Sequence, residues 1–126
     1  MSYYLIGIDT GTTNVKALIY DLEGHEITSS SVDNEVYTDG AFSEQDMNKL
    51  WNNVLTCLTN LIKSTQIDTN EIMGIGVTGQ GEGLWALDEN YEPVGNSILW
   101  NDGRALDLVN IIREDDALYK EIKKVV

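Results

Sequence analysis

Asp9-Thr-Gly-Thr-Thr-Asn-Val-Lys16 is the stretch on which the fold turns. An acid closes a short apolar run, a Gly/Thr turn follows, and a lysine lies on the segment that returns. Upstream, Tyr3 to Ile8 is apolar and β-rich. Downstream, Val15 to Tyr20 is a second such run, ended by the turn signal Asp21-Leu-Glu-Gly24. The pair predicts a hairpin, and His25 to Val32 predicts a third antiparallel strand. Chemically the turn suits a phosphate. Gly11 lets the backbone turn tightly and come close, the N–H and hydroxyl groups of Thr12 and Thr13 can donate, Lys16 brings positive charge, and Asp9 can hold Mg²⁺ through water. The same residues serve equally as an ordinary hairpin turn with Asp and Gly as turn formers, and spacing alone does not choose. A Walker A loop is excluded, because no Gly-x-x-x-x-Gly-Lys-Ser/Thr string occurs.

Further along, Asp33 to Phe42 is polar, contains Gly40 and reads as loop, and Ser43-Glu-Gln-Asp46 reads as a capping-box-like helix start. From Met47 the apolar residues Leu50, Trp51, Val54, Leu55, Leu58, Leu61 and Ile62 recur at three- and four-residue spacing, the signature of one helical face. Ile72 to Thr78, Gly83 to Leu87 and Val94 to Trp100 predict strands, with Asp88-Glu-Asn-Tyr-Glu-Pro93 as a turn between the last two. Leu106, Val109 and Ile112 predict one short helix. Ala117, Leu118, Ile122 and Val125 predict a second, started by Glu114-Asp115-Asp116 and running uncapped into the terminus. The order of elements is α/β, a mixed sheet with flanking helices, in one domain or part of one. Gly74-Ile-Gly-Val-Thr-Gly79 matches the dinucleotide fingerprint Gly-x-Gly-x-x-Gly, but its glycines fall inside a strand and lead to another strand instead of opening a helix.

Composition narrows the partners. The 126 residues carry 21 acids against 8 bases, a formal charge of −13 that repels nucleic-acid phosphates and anionic membranes. A nucleotide would therefore be held by local N–H groups, one well-placed cation and Mg²⁺. No stretch approaches the roughly 18 apolar residues of a membrane span, and the start lacks the basic and cleavage features of a signal peptide. Cys57 is the only cysteine, which rules out an intrachain disulfide and suits the cytoplasm. It reads as core filling on the helix, and the lone His25 as a surface residue.

Three separated strings together resemble the FGGY carbohydrate kinases. The first is the Asp9 to Lys16 loop. The second is Gly40-Ala-Phe-Ser-Glu44-Gln45-Asp46 with Trp51, similar to the family's Glu-Gln-Asp motif at a helix start, although Met47 stands where proline is frequent. The third combines Gly76-Val-Thr-Gly-Gln80 with Ile98-Leu-Trp100-Asn-Asp102-Gly-Arg104, similar to the pentulose kinases of the family. The resemblance covers nearly the whole chain. It implies an actin-like (ribonuclease H-like) ATPase fold, with residues 1–126 as the first part of the N-terminal lobe and the C-terminal lobe outside the chain. It implies phosphoryl transfer from ATP, with Mg²⁺, to a small sugar or polyol, pentuloses first, and it is compatible with a homodimer of the full-length protein.

By that resemblance Asp9 lies near the metal and the transferred phosphoryl, and Gly11, Thr12, Thr13 and Lys16 lie around the ATP phosphates. Gln80, Gly81, Glu82, Trp100, Asp102 and Arg104 line the sugar side, where carboxylates and amides bind hydroxyls and an aromatic face covers carbon. Trp100 is equally readable as core, and Arg104 as half of a structural salt bridge. The general base, an aspartate much further along in that family, falls outside these residues, so an exposed face should remain where further structure docks. Two other classes compete: a non-catalytic nucleotide- or sugar-binding module, and another actin-type ATPase, in which the sugar-side strings would have no purpose.

Overall fold

The computed structural model describes residues 2–124. The predicted meander is present as β1 (Tyr4–Thr10), β2 (Asn14–Asp21) and β3 (Glu26–Asp33), paired antiparallel in chain order. Alternation explains it: Ile6 and Ile8 on β1 and Val15, Ala17 and Ile19 on β2 share one face and are all buried. Asp9 and Lys16 are register partners on the opposite face.

Next come β4 (Tyr37–Asp39) and β5 (Phe42–Gln45), so Asp33 to Phe42 is not all loop as the sequence predicts. Gly40, at φ 56°, makes the tight reversal that lets Tyr37 to Asp39 pair back on Phe42 to Glu44. The helix start is corrected too. Ser43 to Gln45 is strand, with Ser43 and Gln45 buried, and Asp46 alone caps α1 (Met47–Lys63) by accepting the N–H groups of Asn48 and Lys49 at 2.9 and 3.0 Å. Helix α1 buries Val54, Cys57 and Leu61, and Lys63 in its last turn favours the dipole. The Cys57 thiol donates to the carbonyls of Ser30 and Val15 at 3.3 and 3.7 Å, which fixes α1 over β2 and β3. Each fully buried Val, Ile or Leu side chain of this core contributes about 1.5–3 kcal/mol of apolar burial.

After a 3-10 turn over Thr69–Glu71, β6 (Ile72–Gly79) returns parallel to β1 and completes a mixed sheet in the order β3-β2-β1-β6. The predicted strands after it are shorter than expected, β7 (Gly83–Leu84) and β8 (Ser97–Leu99), with a Leu87–Pro93 bridge closing the predicted turn. They join a second, antiparallel sheet in the order β4-β5-β8-β7. Helices α2 (Leu106–Glu114) and α3 (Asp116–Ile122) pack on each other and contain no buried residue. Asp115 caps α3 through the N–H groups of Ala117 and Leu118. Helix α3 does not run on as predicted: it ends at Ile122 with Lys123 as its cap, and Val125 and Val126 lie outside the described residues.

Beside α1 the inward face of β1 and β6 stays open. Ile8, Leu50, Trp51, Ile75, Val77 and Trp85 line an apolar groove of about 480 Å³. No helix among the described residues is long and apolar enough to cross a membrane.

Candidate active site

The loop between β1 and β2 is built from behind. Asn34, directly after β3, donates its side-chain amide to the Gly11 carbonyl at 2.9 Å and its backbone N–H to the Thr13 carbonyl at 2.8 Å. Gln45, at the end of β5, donates to the Thr12 carbonyl at 3.1 Å. Three consecutive carbonyls are thereby pinned toward the protein. The backbone N–H groups of Thr12 and Thr13, beyond the last ladder pairs at Thr10, have no protein acceptor among the described residues, whereas Gly11 adjoins the β1 ladder. Successive unpaired N–H groups of this kind form an anion-binding concavity. A Cβ at Gly11 would sit 3.1 Å from the Asn14 carbonyl oxygen, so the turn is tight there.

Thr12 also reaches the far side of the cleft. Its hydroxyl donates to Gln80 Oε1 at 3.0 Å and accepts the Trp100 indole N–H at 3.1 Å. Gln80 Nε2 donates to Gln45 Oε1 at 3.0 Å, and the Gln80 backbone N–H donates to the Thr10 carbonyl at 3.3 Å. Residues from the β1–β2 loop, the ends of β5 and β6 and the segment after β8 thus meet in one network. Gly79 makes the approach possible: a Cβ there would lie 2.0 Å from Thr10 Oγ1 and 2.9 Å from the Thr10 carbonyl. Trp100 is 59% exposed and presents its ring outward, so it is not core.

Asp102 and Arg104 occupy a neighbouring corner. Arg104 donates to both Asp102 oxygens at 2.8 Å and to Glu44 at 2.7 Å, and its guanidinium lies 4.5 Å from the centre of the Phe42 ring. Asp102 also accepts the Ser43 N–H at 2.7 Å and the Arg104 N–H at 2.9 Å, and its side chain is only 3% exposed. Arg104 first, and then these backbone donors, hold the Asp102 carboxyl well below the usual carboxylate range. Arg104 also holds the Glu44 carboxyl down, aided by a 3.1 Å hydrogen bond from Asn96. The arginine is correspondingly more basic. This cluster fastens β5 to the chain after β8.

Asp9, Lys16, Gly81 and Glu82 are exposed, and Asp9 and Lys16 make no ion pair with each other or with any described residue. No group of three or more His, Cys, Asp or Glu able to hold a metal by itself exists among the described residues. The described residues thus form no closed protein cage for a metal.

Residues 4–125 match the N-terminal domain of the FGGY family of carbohydrate kinases. The chain belongs to that family. L-xylulose/3-keto-L-gulonate kinase of Escherichia coli K12 is 34% identical over 116 residues, which are 91% of this chain and 23% of that protein. Glycerol kinase of Pseudarthrobacter chlorophenolicus is 31% identical over 117 residues, again 91% of this chain and 23% of the relative. The crystal structure of gluconate kinase from Lactobacillus acidophilus superposes with a TM-score of 0.85 at 26% identity, over 98% of this chain and 25% of that one. This FGGY chain spans about a quarter of the length of its relatives. Its mixed sheet and helix are those of the actin-like ATPase fold shared by these sugar kinases.

Sequence reasoning on the FGGY strings missed the supports. Gln45 reads there only as part of a helix-start motif, and Asn34 as loop. A signal existed for Gln45: with Ser43 it occupies the inward positions of a strand, and a buried glutamine needs partners for every polar atom.

Proposed function

We propose that the protein carrying this chain transfers the γ-phosphoryl group of ATP to a hydroxyl of a small sugar or polyol, with pentuloses as the first acceptor class. The observation that carries this reading is the β1–β2 loop, where three carbonyls are tied inward and the Thr12 and Thr13 N–H groups are left for an anion. These amides and Lys16 would hold ATP phosphates, and Asp9 would hold Mg²⁺ through water. When bound, the metal supplies charge neutralisation at the phosphates. Family membership and the kinases among the relatives support the same reading. It also accounts for function in a protein of net charge −13, because the anion site rests on local dipoles.

On the acceptor side, Trp100 offers an aromatic face. Gln80, Gly81 and Glu82 offer hydrogen-bonding groups, and the Asp102–Arg104 pair shapes the wall. The carboxylate that accepts the hydroxyl proton is assigned to a part of the protein outside these residues, as is the second lobe. The setting is cytoplasmic. Pentulose is placed first because relatives named as L-xylulose kinases match this chain over 91% and 86% of its length.

The test has two arms. Mg-ATP titrated into the labelled chain should shift the Gly11, Thr12 and Thr13 amide resonances, and Lys16→Ala should weaken that binding about tenfold. In the longer protein, assayed with pentuloses, hexuloses, glycerol and aldonates, Asp9→Ala should lower kcat by at least about 100-fold. Loop amides that ignore Mg-ATP, together with no acceptor turned over, would end the kinase reading in favour of a non-catalytic module.

A further inference from the structure

Every polar atom on the path from Gln45 to Trp100 has one role available to it. Gln45 is 2% exposed, and its amide nitrogen faces two carbonyls, those of Thr12 at 3.1 Å and Glu35 at 3.3 Å. Only an NH₂ satisfies both, so Gln45 Oε1 is turned toward Gln80. Gln80 must then present its NH₂ to Gln45 and its oxygen to Thr12. The Thr12 hydroxyl proton is therefore committed to Gln80, which leaves its lone pair for the indole N–H of Trp100, a group that can only donate. The direction of the whole chain is set at its buried end. Its exposed end is the aromatic ring on the acceptor side, and among the described residues that indole bond is the only hydrogen bond Trp100's side chain makes.

We propose that Gln45 is a positioning residue which seats Trp100 through Gln80 and Thr12, and that the Thr12 hydroxyl serves the acceptor side and not the phosphate side. For the identity of the acceptor the proposal rests on the kinase reading; for the seating of Trp100 it does not. It makes an unusual claim about a residue in the phosphate loop. Thr12 gives the anion its backbone N–H, while its hydroxyl is spent on the aromatic wall. Thr13, exposed and with no side-chain partner among the described residues, keeps the free hydroxyl.

The direct measurement is the indole N–H of Trp100 in this chain, assigned with Trp100→Phe, by chemical shift and by exchange with water. Gln45→Met keeps the length of the side chain but removes both donors and the acceptor. Gln80→Met breaks the path at a partly exposed position and guards against misfolding at the buried one. Thr12→Val removes the acceptor of the indole bond. All three should speed Trp100 exchange several-fold and shift its signal, while the Trp51 and Trp85 indole signals stay in place. Thr13→Val should do neither. In the longer protein, assayed with L-xylulose and glycerol, Gln45→Met and Thr12→Val should raise acceptor KM about five- to tenfold and leave ATP KM within about twofold. A folded Gln80→Met chain with an unchanged Trp100 signal would overturn the seating. A Thr12→Val protein that loses ATP affinity instead would overturn the division of labour. If neither acceptor is turned over by the unaltered protein, the kinase reading fails, while the indole signals still judge the seating.

Discussion

Ile8 and Val77 are register partners on neighbouring strands and present to the same face of one sheet, yet Ile8 is 6% exposed and Val77 is 69% exposed. The difference is the reach of α1, which packs over β2 and β3 and touches β1 with its edge. Chemically the strands are alike. One half of the sheet is a finished core, with Val15, Ala17, Ile19, Cys57 and Leu61 fully buried, and the other half is an apolar wall of a groove. Alternation along a strand thus states which face is apolar, not whether that face is covered. The site straddles the boundary. The β1–β2 loop hangs from the covered half, and Gln80 hangs from β6 in the open half.

Mutations on the two sides should separate by magnitude. Ile19→Ala, in the covered half, should cost about 3 kcal/mol in urea unfolding, because a fully buried side chain leaves a cavity. A loss under about 1 kcal/mol would mean that the core is not where stability resides. Gly79→Ala, at the seam, should cost about 2 kcal/mol, since the new Cβ meets both the side chain and the carbonyl of Thr10. It should also disturb the Trp100 indole signal, for Gln80 follows directly in the chain.

A pH series sharpens the contrast from the other sheet. Because Arg104 lowers the Asp102 carboxyl in the folded protein, its contribution is fully present above the ordinary value of 3.8 and is lost as pH falls from there toward the folded value. Asp102→Asn should therefore lower Tm by a constant amount from about pH 5 to pH 8, and the gap should close below about pH 4. A gap that widened in acid would contradict the ion cluster. The smallest effect belongs to the open half. Val77→Ala should change stability by less than about 0.5 kcal/mol in this chain, and a larger loss would mean that the groove is covered in solution.

Much of the fold was legible along the chain. β1 and β2 followed from apolar, β-rich runs between turn signals, β3 from the return of the chain after Gly24, and α1 from seven apolar positions at helical spacing. The errors have local causes. Ser43 to Asp46 satisfies a capping pattern, but backbone pairing with β4 and β8 takes Ser43 and Gln45 into a strand, and the cap moves to Asp46. Tyr37 to Asp39 looked like loop because three residues are too few to show a period. In the candidate site, the turn holding Gly11 and Thr12 between two strands was visible, whereas the partners of Thr12 were not. Nothing adjacent to Thr12 says that its hydroxyl meets Gln80 and the indole of Trp100, 68 and 88 residues away.

The sequence by itself determined the side-chain periods, the turn that leaves an acid and a lysine around a Gly/Thr loop, and the strings that mark an FGGY kinase. These are readable because hydrophobic period, turn chemistry and capping act between residues a few positions apart. Only the tertiary structure decided which carbonyls are pinned by Asn34 and Gln45, which hydroxyl is spent on Trp100, and that Arg104 bridges Asp102 and Glu44. Those choices depend on strand register, which brings single donors and acceptors within about 3 Å across the sheets, and a hydrogen bond is decided by that distance and angle.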